Sequence, residues 1–202
     1  MYKLHFHPFS QHSRRVVALL NAAGIEHELA MVDLIKGDNM QPSYLALNPN
    51  HKVPTLEDGD FRLYESNAIL RYLCDKHDLS DWYPKDLKQR ALVDQWLDWN
   101  QTRLAGPVFD VVFNKMFAGD KADKAAIERG EKTLVELAKI LDDALAGKSF
   151  LVGDKPTIAD LSVASNATQL QIGQSLPAGA NIGAWLGRVM EIEGFRKAMP
   201  QM

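Results

Sequence analysis

Residues 50–73 read NHKVPTLEDGDFRLYESNAILRYL. A proline follows Val53 where a strand pattern begins, Asp58-Gly59 divides two short runs, and Glu65-Ser66 opens a segment with helical spacing at Ala68, Ile69, Tyr72 and Leu73. Thr55-Leu56-Glu57 and Asp60-Phe61-Arg62-Leu63 on either side of an Asp-Gly pair spell a β-hairpin. The stretch therefore predicts strand, turn, strand, helix, with a proline at the entrance.

Toward the N terminus, Tyr2, Leu4 and Phe6 alternate with Lys3, His5 and His7, which predicts a strand stopped by Pro8. From Arg14 the period becomes helical through Val16, Val17, Leu19, Leu20 and Ala23, with Gly24 as the stop. Residues 25–32 form a second strand candidate. Strand, helix, strand in one sheet implies parallel pairing. Residues 33–50 are polar, with a short helix expected around Pro42–Leu47. Residues 1–77 thus read as βαβ followed by ββα.

Toward the C terminus, residues 78–87 are rich in Asp, Lys, Ser and Pro and read as a linker. Residues 88–202 carry only helical patterns. Leu92, Trp96, Trp99 and Arg103 share one stripe, and Gly106-Pro107 is expected to kink or break that helix. Val108, Val112, Phe113 and Met116 continue the spacing. Ile127, Leu134, Leu137, Leu141 and Leu145 mark a long helix ending near Gly147. Thr157-Ile158-Ala159-Asp160 has capping-box spacing with Asp in the usual Glu place.

Composition narrows the function classes. The 202 residues are 46% hydrophobic and 24% charged, enough for a sizeable core. A net charge of −3 argues against a nucleic-acid surface. No apolar run is long enough to span a membrane, and the start MYKLHFHPFS does not read as a secretory signal. Cys74 is the only cysteine, which excludes an internal disulfide and points to a reduced, cytoplasmic setting. His5 and His7 share a strand face without a third ligand at metal-binding spacing, so no metal is expected.

A βαβ–ββα unit with a proline before its hairpin resembles the thioredoxin arrangement, and its junction with an all-α domain resembles the cytosolic glutathione transferases. The most specific segments are Lys52-Val53-Pro54-Thr55-Leu56, Leu63-Tyr64-Glu65-Ser66-Asn67-Ala68-Ile69, and Phe150-Leu151-Val152-Gly153 with Thr157-Ile158-Ala159-Asp160. Ser10-Gln11 near the start resembles the serine types, theta, phi and related bacterial members. The fold implied is an α/β thioredoxin-like N-terminal domain followed by an all-α helical bundle.

That resemblance implies glutathione as co-substrate, held by Val53 and Pro54 (through a cis bond) against its cysteinyl part and by Glu65 and Ser66 at its γ-glutamyl end. Lys52 faces the glycyl carboxylate or is a solvated edge lysine. Asn39-Met40 stands where relatives carry a cationic pair, with His51 as a compensating candidate. Free N–H groups at a helix start favour a carboxylate, which suits Ser66. Val-Pro as a plain strand start and Glu-Ser as a plain cap are the alternatives.

The chemistry needs a thiolate. A thiol of pKa ~8.5 is about 3% ionised at pH 7, and lowering it by ~2 units requires about 2.7 kcal/mol of differential stabilisation. A hydroxyl between the first strand and first helix can donate to sulfur, and Ser10 stands there, with Ser13 as rival donor or cap, and plain capping of the helix by Ser10 as the alternative. An apolar electrophile would lie against Phe9, Phe109, Val112 and Phe113. The activity implied is conjugation. Glutathione-dependent peroxidase or dehalogenase chemistry, or a non-catalytic interaction module, are the alternatives. The family resemblance also implies a homodimer.

Overall fold

The computed structural model describes residues 1–201. The chain forms two compact units: residues 1–80 together with the segment from Glu191 onward, and Asp81–Met190.

The first unit is built on a four-stranded sheet of order β2-β1-β3-β4, with β1 at Tyr2–Phe6, β2 at His27–Met31, β3 at Thr55–Asp58 and β4 at Phe61–Tyr64. β1 and β2 are parallel, Tyr2 opposite His27 through Phe6 opposite Met31. β1 and β3 are antiparallel, with Leu4 opposite Leu56. Both leucines are completely buried. Helix α1 (Gln11–Ala22) and helix α3 (Ser66–Lys76) pack on each other. They bury Val16, Leu19 and Leu20 from one and Ile69, Leu70 and Leu73 from the other. A short helix α2 covers Pro42–Leu45.

Helix α1 starts three residues before the apolar period begins. Its first turn is polar and is set by Ser10, whose Oγ accepts from the Ser13 N–H at 3.2 Å. Gly24 has φ +65° just past the last turn, the conformation that ends helices. The hairpin turn is Gly59-Asp60 rather than Asp58-Gly59: Asp58 still pairs with Phe61, and Gly59 takes the positive φ of +64°.

The second unit holds α4 (Leu87–Trp99), α5 (Ala105–Met116), α6 (Lys124–Leu145), α7 (Ile158–Ile172) and α8 (Ala180–Glu191). The expected break at Gly106-Pro107 is instead one π turn over Asn100–Leu104, in which the Ala105 N–H bonds back to Asn100 O. The wider turn lets the chain stay helical although Pro107 has no N–H to return to Arg103. Helix α7 is buried from Ile158 to Leu170. At its start the completely buried Asp160 accepts from Leu151 N (2.9 Å), Thr157 N (2.8 Å), Thr157 Oγ1 (3.0 Å) and Trp185 Nε1 (2.9 Å). Burial pushes the Asp160 carboxyl above its ordinary range, and these four donors oppose that push.

The expected helical domain of 88–202 is too long at its end. Helix α9 (Glu193–Lys197) belongs with the first unit, because Gly194 seats its backbone on α1. A Cβ there would stand 2.7 Å from Ala18 O and closer still to Ala22 N. Only a residue without a side chain allows that approach. Gly194→Ala is expected to destabilise the protein by about 1–3 kcal/mol through forced separation of α9 from α1, measured as a lower urea midpoint.

Candidate functional site

The sheet register gathers the predicted residues of the first unit at one end. Thr55, first in β3, is opposite His5 near the end of β1 and opposite Tyr64 at the end of β4. The turn carrying Ser10, the entrance at Val53-Pro54 and the start of α3 at Glu65-Ser66 therefore leave the sheet side by side.

The Val53–Pro54 peptide is cis, and Val53 lies outside the sheet ladder, which begins at Thr55. The backbone just before it is held by a polar web. Lys52 O accepts from Tyr44 Oη (2.6 Å) and Asn48 Nδ2 (2.9 Å). The same two side chains reach Thr55 Oγ1 at 3.1 and 3.2 Å. Val53 itself packs with Val32 and Tyr44, so its side chain is anchored inside. Asn39 donates from Nδ2 to His51 O at 2.8 Å. Asn39 thus supports the loop, and His51 holds a left-handed φ of 48°. The side chains of His51 and Lys52 are exposed.

Glu65 precedes α3 at φ 71° and makes no side-chain bond to the helix start. A plain capping role is therefore excluded, and its exposed carboxylate is uncommitted. Ser66 and Asn67 follow, both buried. The first N–H groups of α3 have no capping side chain, which leaves an anion-favouring helix start.

The two candidate hydroxyls separate. Ser13 is 1% exposed, and its Oγ accepts from His7 N at 3.3 Å. Ser10 is half-buried. Accepting from Ser13 N uses a lone pair of its oxygen and leaves the O–H proton to be donated outward. Burial lowers the nearby His7 imidazole, partly offset by Asp33.

Two titratable side chains of α1 escaped the sequence reading. Burial first, then the charges of Arg15 and Lys52, push His12 down to about 3, so its ring is neutral at pH 7. Arg15 is completely buried, and burial followed by the charge of Arg14 lowers it to about 9. Its Nη1 donates to Asn67 Oδ1 at 3.3 Å. Its Nε and Nη2 have no hydrogen-bond partner among the described residues, at a cost of about 1–3 kcal/mol each. The apolar stripe of α1 predicts the buried leucines but gives no sign of buried arginines among them. Tyr44 and Asn48, also missed, stand four residues apart, and Asn48, past the end of α2, bonds its N–H back to Tyr44 O.

The apolar candidates fall on both units. Phe9 lines a cavity of about 300 Å³ inside the first unit, with Phe6, Pro8, Val17, Leu29 and Met199. On α5, Phe109 and Phe113 are exposed and stacked, ring centroids 5.0 Å apart at 13°. Val112 is not a pocket wall. It is 3% exposed and packs against Gly173 at the end of α7.

Comparison with known proteins adds a family context. The family described as glutathione S-transferase, N-terminal domain, matches residues 4–81, and the corresponding C-terminal domain matches residues 124–188. The chain is 37% identical over 188 residues to human glutathione S-transferase theta-2, spanning 89% of this chain and 77% of that protein. It is 36% identical over 160 residues to Arabidopsis thaliana glutathione S-transferase F10, spanning 77% and 74%. The crystal structure of human theta-2 in complex with glutathione and an unknown ligand superposes with a TM-score of 0.91 at 33% identity, covering 98% of this chain and 86% of that one. Poplar glutathione transferase F1 superposes at 0.89 with 29% identity, covering 98% and 95%.

The polar web makes its own prediction. Tyr44→Phe removes one donor from Lys52 O and a partner of Thr55 Oγ1. It is expected to lower stability by about 1–2 kcal/mol in urea titration.

Proposed function

The chain belongs to the glutathione S-transferase family, a family of transferases, and from that premise we propose that it binds glutathione at the Val53–Ser66 end of the sheet and that Ser10 donates a hydrogen bond to the ligand's sulfur. The observation that carries this reading is the set of unspent groups at one edge: the Val53 backbone outside the ladder, the uncapped start of α3 beside Glu65, and the free O–H of a half-buried Ser10.

Each group matches a part of the tripeptide. The Val53 N–H and C=O suit the cysteinyl amide, as an added strand would. The α3 start and Ser66 suit the γ-glutamyl carboxylate, and Glu65 suits its ammonium. Lys52 and His51, both exposed, suit the glycyl carboxylate, with Asn39 acting from behind through His51 O.

Binding then sets the chemistry. The sulfur lies over the first turn of α1, where the helix start contributes about 0.3–1 kcal/mol toward the anion. A hydrogen bond from Ser10 to a charged sulfur contributes about 1.5–3 kcal/mol. Together these cover the ~2.7 kcal/mol needed to bring a thiol from pKa ~8.5 to near 6.5. Ser10 stays protonated throughout, and no base is required. The thiolate then adds to, or displaces a leaving group from, a small apolar electrophile. Phe9, with the cavity it lines in the first unit, supplies apolar surface of the right character.

The reading extends to a cytoplasmic homodimer with a role in detoxification. Among the described residues no helix is long and apolar enough to cross a membrane. A panel of aryl halides, organic hydroperoxides and small halocarbons, each with glutathione, separates conjugation from reduction and dehalogenation. Light scattering tests the dimer.

The decisive measurement is the ultraviolet thiolate absorbance of bound glutathione against pH. Ser10→Ala is expected to raise the apparent thiol pKa by about 1–2 units and to lower kcat/KM at neutral pH by roughly 10–100-fold. The same pKa in both proteins would remove Ser10 from the mechanism.

A further inference from the structure

We propose that Arg15 is a positioning residue for glutathione: its buried guanidinium, bonded to Asn67 in the first turn of α3, supplies the positive charge that fixes the γ-glutamyl carboxylate beside Ser66. The inference rests on the reading of this site as the glutathione site, and deepens it.

The first observation is that Arg15 is poorly explained as a structural residue. It is completely buried, its Nη1 has one neutral partner at 3.3 Å, and its Nε and Nη2 have none among the described residues. A buried cation without a carboxylate is destabilising, and an apolar side chain of similar volume packs at lower cost. A charge kept at such a cost has its counterpart elsewhere.

The second observation is where that charge lies. Asn67 is the second residue of α3, directly after Ser66. The guanidinium therefore stands against the helix start that already favours an anion. Buried in protein, it is screened far less than a surface lysine would be. His12, which lies near Arg15 and Lys52, is held neutral by burial and by those two charges, so it adds no charge of its own.

The third observation is complementarity. The γ-glutamyl head is a zwitterion with an ammonium and a carboxylate on one carbon. Glu65 offers an exposed, uncommitted carboxylate. One residue further on, Ser66 with the α3 start offers donors, backed by Arg15 through Asn67. The two signs are arranged in the order the zwitterion needs. Arg15 does not touch the ligand in this arrangement. It acts through Asn67 and through its field.

The test uses a glutathione analogue whose γ-glutamyl α-carboxylate is converted to the amide, with affinities read by calorimetry. Wild type is expected to prefer glutathione over the amide, and Arg15→Gln to reduce that preference by about tenfold, the signature of coupling between two charges. Arg15→Lys, which keeps the charge but not the fork, is expected to retain most of the preference. In steady state, KM for glutathione rises in Arg15→Gln while kcat at saturation stays within about threefold, as for lost uniform binding. Where Arg15→Gln does not fold, Asn67→Ala is expected to reduce the preference by about threefold. A preference unchanged in a folded variant overturns this inference alone. A wild-type protein that does not bind glutathione overturns the underlying site, and this inference with it.

Discussion

One carbonyl oxygen, that of Lys52, organises the candidate binding edge. It accepts from Tyr44 and from Asn48, and the same two side chains reach forward to Thr55 at the first rung of β3. The chain between those anchors has its ends fixed, and Val53 is held outside the ladder with its side chain in a small apolar cluster. Without that web, residues 48–55 would be an ordinary surface loop with many backbone conformations. With it, the backbone around Val53 is held in a single arrangement outside the ladder, so little ordering would remain for a ligand to impose.

The rest of the edge follows one pattern: groups that hold the fold are bonded, and the groups proposed for the ligand are not. Ser13 is buried and bonded, whereas Ser10 caps the helix with a lone pair and keeps its proton. Asn39 is spent on a loop carbonyl, whereas Glu65 is spent on nothing. In the helical unit the same pattern shows its structural side. Asp160 is buried, but four donors converge on it, so it ties the 150–157 turn, α7 and α8 together. Arg15 is a buried cation that leaves both Nε and Nη2 without a partner among the described residues, whereas Arg14 and Asn166 each leave a single atom so, which is why Arg15 is proposed as part of the site.

Much of the candidate site was legible because its residues sit at element boundaries, where turn and cap chemistry leave a strong local signal. Val53-Pro54, Glu65-Ser66 and Ser10 all mark changes of backbone direction. The same signal was ambiguous wherever two roles share one residue type. Ser10 and Ser13 are identical on paper, and burial tells them apart. Val112 carries the helical spacing of Phe109 and Phe113 but points into its own unit against Gly173, because an apolar stripe does not say which of its edges is covered. Arg14 and Arg15 follow the polar start of α1 in sequence, and nothing local announces that neither meets solvent.

The sequence by itself determined most of the elements and their order, though not the π turn or α9. Period-two and helical patterns, the turn glycines and the Thr157–Asp160 cap are local, and local sterics and hydrogen bonding suffice to read them. Contacts between distant residues decided the remainder. Gly194, unremarkable in its own helix, assigns the C-terminal segment to the first unit because it alone can approach Ala18 and Ala22. Tyr44 and Asn48 gain their role only when the chain returns past them at Lys52. Arg15 becomes a buried charge only once α3 closes over α1. Exposure, charge compensation and close approach belong to pairs of surfaces, and a pattern along one strand or helix carries no information about the surface that will meet it.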